Sequence, residues 1–204
     1  MSNQKIDLGN GIFINISSGN SKMGKVFSIS MPAIVTCASG IPCAKTCYAC
    51  KFYNCVKNCY RQNMQALDNV NVDRLADAIA NYINKKDVRL FRWNVSGDFA
   101  RNGEFDKVYW SLACKVARKC PGTLFLAFTK VFDCFKYKRP ANFNLVASVW
   151  NDYKPQTISN KPTAHFCDGT REMPKHAVKC SGECETCMLC FGLRKGEAVY
   201  FEKH

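Results

Sequence analysis

The chain has 204 residues, of which 47% are hydrophobic, and this length and composition suffice for the core of one domain. Its fourteen cysteines would suit a secreted disulfide scaffold, but residues 1–10 contain no apolar signal segment, so we expect reduced thiols in a cytoplasmic protein. No stretch approaches the roughly 18 to 20 consecutive apolar residues that cross a bilayer, and we therefore expect no membrane partner.

The charge balance bears on possible partners. Twenty-nine Lys and Arg against sixteen Asp and Glu give a net charge of +13, which favours nucleic acid or another polyanion. Cations also alternate with aromatic residues at Arg89 to Trp93 and at Lys136 to Arg139, as on a surface that stacks single strands. A basic, solvated surface with ordinary core strands explains the same pattern, and metal-bound thiolates would offset part of the charge.

The N-terminal residues predict a hairpin followed by a cysteine-rich loop. Residues 12–18 and 26–31 alternate apolar and polar side chains on either side of a glycine-containing turn, which predicts two antiparallel strands. Residues 32–59 are rich in cysteine and small side chains, so we expect a loop that leads into a helix ending near Leu67.

Helix and strand patterns alternate in the middle of the chain. Apolar residues at helical spacing predict helices over 72–83 and 105–116, and apolar runs predict buried strands at 88–95, 123–129 and 145–150. Strands separated by helices of this length predict an α/β fold with a parallel sheet, which we expect to form a partial βα (TIM-like) barrel. Functional residues of such sheets lie at the carboxyl ends of the strands.

We expect one metal-binding α/β domain over residues 1–204. Its four parts are a hairpin (1–31), a cysteine loop and helix (32–67), βα units (68–152) and a cysteine-rich C-terminal segment (153–204). In the last part, residues 153–179 have no clear period and predict an irregular connection, and residues 198–201 predict one short strand. We expect the C-terminal segment to pack against the N-terminal cysteine loop.

Polar residues follow each predicted strand and are candidates for the functional edge of the sheet. They are Ser96, Gly97 and Asp98, then Thr129 and Lys130, then Asn151 and Asp152. Ser96, Gly97, Asp98 and Lys130 are the predicted cofactor-binding residues, and Asp98 is the predicted catalytic residue. The alternative is that they only form turns, since any strand must end in turn-forming polar residues.

The N-terminal cysteines have a pattern typical of a metal cluster. They are Cys37, Cys43, Cys47, Cys50, Cys55 and Cys59. Cys43, Cys47 and Cys50 have the spacing C-x3-C-x2-C, and three thiolates on a short loop can hold three irons of a four-iron cluster while the fourth stays open. Cys37 is a further candidate ligand. The other two cysteines, four apart on the predicted helix, suit joint ligation as well as ordinary helix packing.

The C-terminal cysteines form a second candidate group. They are Cys167, Cys180, Cys184, Cys187 and Cys190. Spacings of two and three residues let successive thiolates converge on one metal centre, and Gly182 relaxes the backbone between them. These cysteines either complete a site alone or fold back to close the site that Cys37, Cys43 and Cys47 begin.

Zinc is the alternative to the iron–sulfur cluster that we favour. Cys184 with Cys187, or Cys187 with Cys190, has the spacing of a zinc-ribbon half-site, and Cys47 with Cys50 would supply the other half of a four-cysteine site. Three cysteines stand apart from both groups, and we expect them to be free thiols, buried or partly exposed. They are Cys114, Cys120 and Cys134.

From Cys43 to Cys50 the sequence resembles the radical S-adenosylmethionine enzymes, whose signature is this cysteine spacing with an aromatic residue at the position of Tyr48. The resemblance implies a partial or full βα barrel, a four-iron cluster, and an open iron that binds the amino and carboxylate groups of S-adenosylmethionine. Ser96-Gly97-Asp98 follows a strand at the place of that superfamily's Gly-Gly-Glu motif for the cofactor's amino group. It differs from that motif in two of three residues.

Motifs across nearly the whole chain carry a second resemblance. They are Thr36-Cys37, Cys43, Cys47-Tyr48-Ala49, Phe91 to Phe99, Thr129-Lys130, Cys187-x2-Cys190 and Val199-Tyr200-Phe201-x-x-His204. With these motifs the chain resembles the phage gene product 88 family. This resemblance implies a viral protein made in a bacterial cytoplasm, and it implies no activity.

The sequence supports three functional hypotheses. The first is an iron–sulfur protein of radical-enzyme type, with Cys43, Cys47 and Cys50 as cluster ligands and Asp98 at the open face. The second is a nucleic-acid-binding protein that zinc or a cluster stabilises, without chemistry of its own. The third is a cluster used for redox sensing or electron transfer, which needs an electron donor as partner.

Overall fold

The computed structural model describes residues 3–150, 153, 158, 160–170 and 172–202. One sheet contains the strands β1 (Asn3–Asp7), β2 (Phe13–Ser17), β3 (Phe27–Ile29), β4 (Leu90–Trp93), β7 (Leu124–Thr129), β8 (Phe143–Val149), β9 (Thr163–Cys167), β10 (Val178–Lys179) and β11 (Ala198–Glu202). A small separate ribbon contains β5 (Ala100–Arg101) and β6 (Glu104–Phe105). The α-helices are α1 (Asn54–Asn69), α2 (Val72–Lys85), α3 (Lys107–Lys119), α4 (Cys184–Cys187) and α5 (Leu189–Gly192).

The nine-stranded sheet is mostly parallel. Its strand order is β1-β2-β3-β4-β7-β8-β9-β11-β10, in which β1, β2 and β3 are antiparallel neighbours and every pair from β3 to β10 is parallel. The mixed α/β fold and its parallel strands agree with the sequence prediction. The carboxyl ends of the parallel strands lie along one edge of the sheet, where the candidate polar residues were predicted to meet.

Helices α1, α2 and α3 cover one face of the sheet, here called the helix face. The strands contribute Phe91, Trp93 and Phe125 to its core, and α2 contributes its apolar stripe of Leu75, Ala76, Ile79, Ala80 and Ile83. Side-chain oxygens of Asn71 and Asp106 accept backbone N–H groups and begin α2 and α3. None of the helices in the described ranges is long and apolar enough to span a membrane.

Alternate strand residues point to the opposite face, here called the second face. Leu90, Leu126 and Val146 lie there and form an apolar cluster with Phe191 and Leu193 from the C-terminal segment. The C-terminal segment therefore packs on the sheet itself. Both faces are buried, as parallel strands generally require.

The structure corrects several details of the predicted elements. Strand β1, which the sequence analysis missed because its residues are mostly polar, pairs with β2 along its five residues. The prediction of an irregular connection over 153–179 was wrong in part, because this region contains strand β9 and ends in strand β10. Phe105 belongs to β6, and Val108 is exposed, since α3 buries Tyr109 and Leu112 instead.

A buried amide fastens α1 to the sheet. The Asn63 side-chain oxygen accepts the Asn15 backbone N–H at 2.6 Å, and its nitrogen donates to the carbonyls of Asn15 at 3.1 Å and Ser30 at 2.9 Å. Strands β2 and β3 share a single register pair, so Asn63 satisfies backbone groups that this short ladder leaves open. Because α1 directly follows the cysteine loop, the same contacts hold the end of that loop.

Candidate functional site

The N-terminal cysteine loop, residues 30–53, connects β3 to α1 at the carboxyl edge of the sheet. Several hydrogen bonds fasten it to the chain after β4. The Met31 backbone N–H donates to the Ser96 carbonyl at 3.0 Å, and the Asp98 backbone N–H donates to the Thr36 carbonyl at 2.9 Å. The Tyr48 hydroxyl donates to the backbone carbonyl of Val95. The loop is thus held over the strand ends.

Ser96 and Gly97 contact the cysteine loop directly and hold its backbone in place. The Ser96 hydroxyl donates to the Met31 carbonyl at 2.9 Å. Gly97 has a left-handed backbone with φ +78°, and a Cβ there would lie 2.3 Å from the Thr36 hydroxyl oxygen. Only glycine fits so close an approach. The predicted cofactor-binding motif therefore has a supporting role in the loop that its residue types alone did not reveal.

The Asp98 carboxylate is buried, and its oxygens accept three protein hydrogen bonds. The donors are the Phe99 N–H at 2.8 Å, the Thr129 hydroxyl at 2.7 Å and the Lys130 N–H at 2.7 Å. Burial raises the pKa of Asp98, and these hydrogen bonds lower it in part. Asp98 therefore joins the ends of β4 and β7. Its predicted catalytic role remains a prediction.

Lys130 extends from the end of β7 toward the cysteine loop. Its ammonium donates to the Ser148 hydroxyl at 3.0 Å and lies 5.5 Å from the centre of the Trp150 ring. Burial raises the pKa of Cys43, while the charge and hydrogen bond of Lys130 lower it. Lys130 therefore favours the thiolate of Cys43, which is the form that binds metals.

The structure brings four N-terminal cysteines together. Burial raises the pKa of Cys37 to about 12, and the neighbouring Cys43 and Cys47 thiols add to the increase. Burial also raises the pKa of Cys50, and the charge and hydrogen bond of Cys47 raise it further. The predicted ligands Cys43, Cys47 and Cys50, with Cys37, thus share one region above the strand ends.

Four C-terminal cysteines meet on the second face; this group, the C-terminal tetrad, consists of Cys180, Cys184, Cys187 and Cys190. Three of them pack against the apolar cluster of that face. Burial raises the pKa of Cys190 to about 12, the other three thiols raise it too, and the Arg92 guanidinium lowers it. All four thiols are therefore close neighbours.

Cys167 was predicted to join this group, and the structure places it elsewhere. Ala164 packs into the second face, so Cys167, three residues further along β9, points to the other face of the sheet. A charged neighbour of Cys167 is Lys179. Alternation along a strand that the sequence analysis did not predict accounts for this position.

The remaining candidates lie apart from both groups. Cys114, Cys120 and Cys134 are buried, and their predicted freedom from metal remains a prediction. Cys55 is exposed, and the Cys59 sulfur accepts a hydrogen bond from the Asn3 side chain at 3.2 Å. Asn151, Asp152 and His204 lie outside the described residues.

The structure places Arg92 and Trp93 on opposite faces of β4. Of the two predicted readings, a stacking surface and a core strand, the structure supports the core strand here, because Trp93 is fully buried in the helix face. Arg92 points to the second face, where its charge lowers the pKa of Tyr48 on one side and those of Cys184 and Cys190 on the other. A lone arginine inside a buried apolar strand was the signal that could have shown this position.

The chemistry of the donor atoms suits a sulfur-ligated metal. Among the described residues, no three His, Cys, Asp or Glu side chains form a group that could hold a single metal ion. Both groups offer thiols, the ligands of iron–sulfur clusters and of structural zinc. A four-iron cluster binds one thiolate per iron, so its ligands need not converge on one point as the ligands of a single ion do.

The family model described as Gene product 88 matches residues 14–192. The chain belongs to this phage gene-product family. The matched region of this Gene product 88 protein runs from β2 to the end of α5 and includes both cysteine groups. No curated protein and no solved structure matches the chain. The resemblance to radical S-adenosylmethionine enzymes remains a prediction.

Proposed function

We propose that this Gene product 88 protein is an iron–sulfur enzyme of the radical S-adenosylmethionine type, with a four-iron cluster on Cys43, Cys47 and Cys50. The observation that carries the proposal is the position of their loop. It stands at the carboxyl edge of the parallel strands, which is the functional edge of α/β sheets. The cysteine spacing leaves one iron of such a cluster open.

The strand order supports a partial βα barrel as the architecture. Strands β3, β4, β7, β8 and β9 are adjacent in the sheet in the order in which they follow one another along the chain. Helices α1, α2 and α3 pack together on one face, and the other face carries the C-terminal segment. A sheet of sequential parallel strands with helices outside is the arrangement from which βα barrels are built.

The chain's own residues would prepare the cysteine loop for metal and substrate. When bound, the cluster would supply an electron, and its open iron would hold the amino and carboxylate groups of S-adenosylmethionine. Lys130 partly offsets the burial that raises the pKa of Cys43, and Asp98 fixes the backbone of Lys130. The Trp150 ring stacks on the Phe166 ring, with 4.2 Å between the ring centres, and lies beside Lys130. This aromatic pair would exclude water from this edge of the sheet. Lys130 is the candidate for binding the cofactor's carboxylate.

Anaerobic purification with iron, sulfide and zinc analysis tests the proposal. We expect iron and sulfide in wild type and a paramagnetic resonance spectrum of the reduced protein that changes when S-adenosylmethionine is added. C43A/C47A should abolish the responsive signal, while the matched control C120A, which removes a buried thiol at the end of α3, should retain it. A spectrum that ignores S-adenosylmethionine would refute an open-iron enzyme and favour redox sensing or electron transfer with a donor protein.

A second candidate function is nucleic-acid binding, which the net charge of +13 favours. In this case zinc or a cluster would stabilise the fold, and the protein would carry no chemistry of its own. Stoichiometric zinc without sulfide, together with DNA or RNA binding that weakens steeply with salt, would select this function. In either case, a bacterial cytoplasm would keep the thiols of a phage protein reduced.

A further inference from the structure

The C-terminal tetrad has the local structure of a built site. Cys184 and Cys187 lie one turn apart on α4, and the left-handed backbone of Met188, with φ 51°, separates α4 from α5, which carries Cys190. The Gly182 backbone N–H donates to the sulfur of Cys180, the fourth cysteine of the tetrad, at 3.4 Å. Backbone N–H groups directed at sulfur stabilise thiolates and metal-bound sulfur.

Arg92 provides an independent observation at the same place. Its Nε atom is buried and has no hydrogen-bond partner among the described residues. One terminal nitrogen makes only a weak contact with the Met23 sulfur at 3.5 Å, and the guanidinium lies 4.8 Å from the centre of the Phe128 ring. A half-buried cation with such weak partners gains from a negative charge nearby.

The tetrad offers that negative charge. Met23 and Phe128, which Arg92 contacts, pack in the same apolar cluster as Cys180, Cys184 and Cys190. Four thiolates around one divalent zinc ion carry a net negative charge, and four thiolates on a four-iron cluster do so as well. The Arg92 guanidinium and the thiols of the tetrad therefore complement each other when a metal is bound.

We infer that the C-terminal tetrad binds a metal centre of its own, separate from the N-terminal cysteines, and that Arg92 is the positioning cation that balances its negative charge. Four protein ligands leave no open coordination position, so this centre stabilises the C-terminal segment or carries electrons and does not bind substrate. The inference goes beyond the proposed open-iron cluster, because it assigns a second centre to other cysteines. Cys167 is not one of its ligands.

Metal analysis of paired variants tests whether the two centres are separate. We expect C184A/C187A to lose the metal of one centre and keep the other, and C43A/C47A to show the converse. Zinc without sulfide or iron with sulfide in C43A/C47A identifies the metal of the tetrad. Loss of all metal from both folded variants would show one shared site and overturn the inference. Metal that persists in C43A/C47A supports the second centre even if the open-iron proposal fails.

Chemical labelling of the wild-type protein gives a test that no folding defect can obscure. Cys187 and Cys55 are both exposed, so both should react with iodoacetamide unless a metal protects them. We expect Cys187 in the purified protein to react at least about tenfold more slowly than Cys55, and chelation to remove the difference. Equal rates before chelation would overturn the inference.

A third experiment tests the cation. R92Q should fold and bind metal but should release the metal of the tetrad to a chelator about tenfold faster than wild type, as outer-shell substitutions do. R89Q is the matched control, since Arg89 lies just before the same strand and its side chain is 75% exposed. Identical release rates for R92Q and R89Q would refute the role of Arg92.

Discussion

The D98N variant tests whether Asp98 holds the functional edge together. Its carboxylate accepts three hydrogen bonds, from the N–H groups of Phe99 and Lys130 and from the Thr129 hydroxyl. An amide of the same shape has one acceptor oxygen, so at least one backbone N–H must face an N–H₂ group. One unsatisfied buried donor costs about 1 to 3 kcal/mol.

This loss should lower the melting temperature of D98N by about 3 to 10 °C for a chain of this size. Identically prepared proteins can be compared by thermal unfolding followed by tryptophan fluorescence. D133N is the matched control, because Asp133 is half exposed and makes only an exposed ion pair with Lys136, so its change should stay within about 2 °C. Equal melting temperatures for D98N and D133N would refute the bracing role of Asp98.

The pH dependence of the D98N penalty checks the environment of the same carboxyl group. Burial raises the pKa of Asp98 above its ordinary value of 3.8. A carboxyl group that binds its proton more tightly when folded stabilises the protein most at low pH, and this contribution is lost as pH rises through the folded pKa. The penalty should therefore shrink as the pH rises from the ordinary carboxyl pKa of 3.8 toward neutrality. A penalty that grows with pH would contradict a raised pKa.

Further variants test the glycine at the loop, the anchor of α1 and the buried thiols. G97A should cost about 2 to 4 kcal/mol, because its Cβ would lie 2.3 Å from the Thr36 hydroxyl at a positive φ, whereas G122A, with open space around it, should be nearly neutral in denaturant unfolding. N63A should cost about 2 to 4 kcal/mol in the same assay by leaving buried backbone groups unpaired, and a cost below 1 kcal/mol would contradict this anchor. Burial raises the pKa of Cys120 to about 11, so its alkylation at about pH 8 should be about a hundredfold slower in the folded than in the unfolded protein; comparable rates would contradict it.

Sequence patterns predicted the elements whose burial follows a simple period. The alternating hairpin strands, the apolar stripe of α2 and the buried run of β4 all lie where the pattern indicated. The patterns did not reveal strand β1, because an edge strand buries few side chains. They did not reveal β9, because five residues beside a proline give too short a pattern. Local periodicity records burial, and it records nothing about pairing partners.

The candidate site shows the same division. Spacing alone singled out Cys43, Cys47 and Cys50, and the structure brings them together with Cys37. Spacing did not reveal that the Asp98 carboxylate accepts hydrogen bonds from Thr129 and Lys130, because these residues lie 31 and 32 positions further along the chain. Spacing also did not separate Cys167 from the tetrad, because that separation depends on the face of β9 to which the Cys167 side chain points.

The position of β11 sets the order in which the chain can be completed. This strand lies between β9 and β10, although it follows both along the chain, and within the described residues β10 has no other neighbour in the sheet. During synthesis β10 therefore cannot join the sheet until residues 198–202 have left the ribosome. A chain interrupted before β11 would leave β10 without a partner strand, and so the last strand acts as the clasp of the fold.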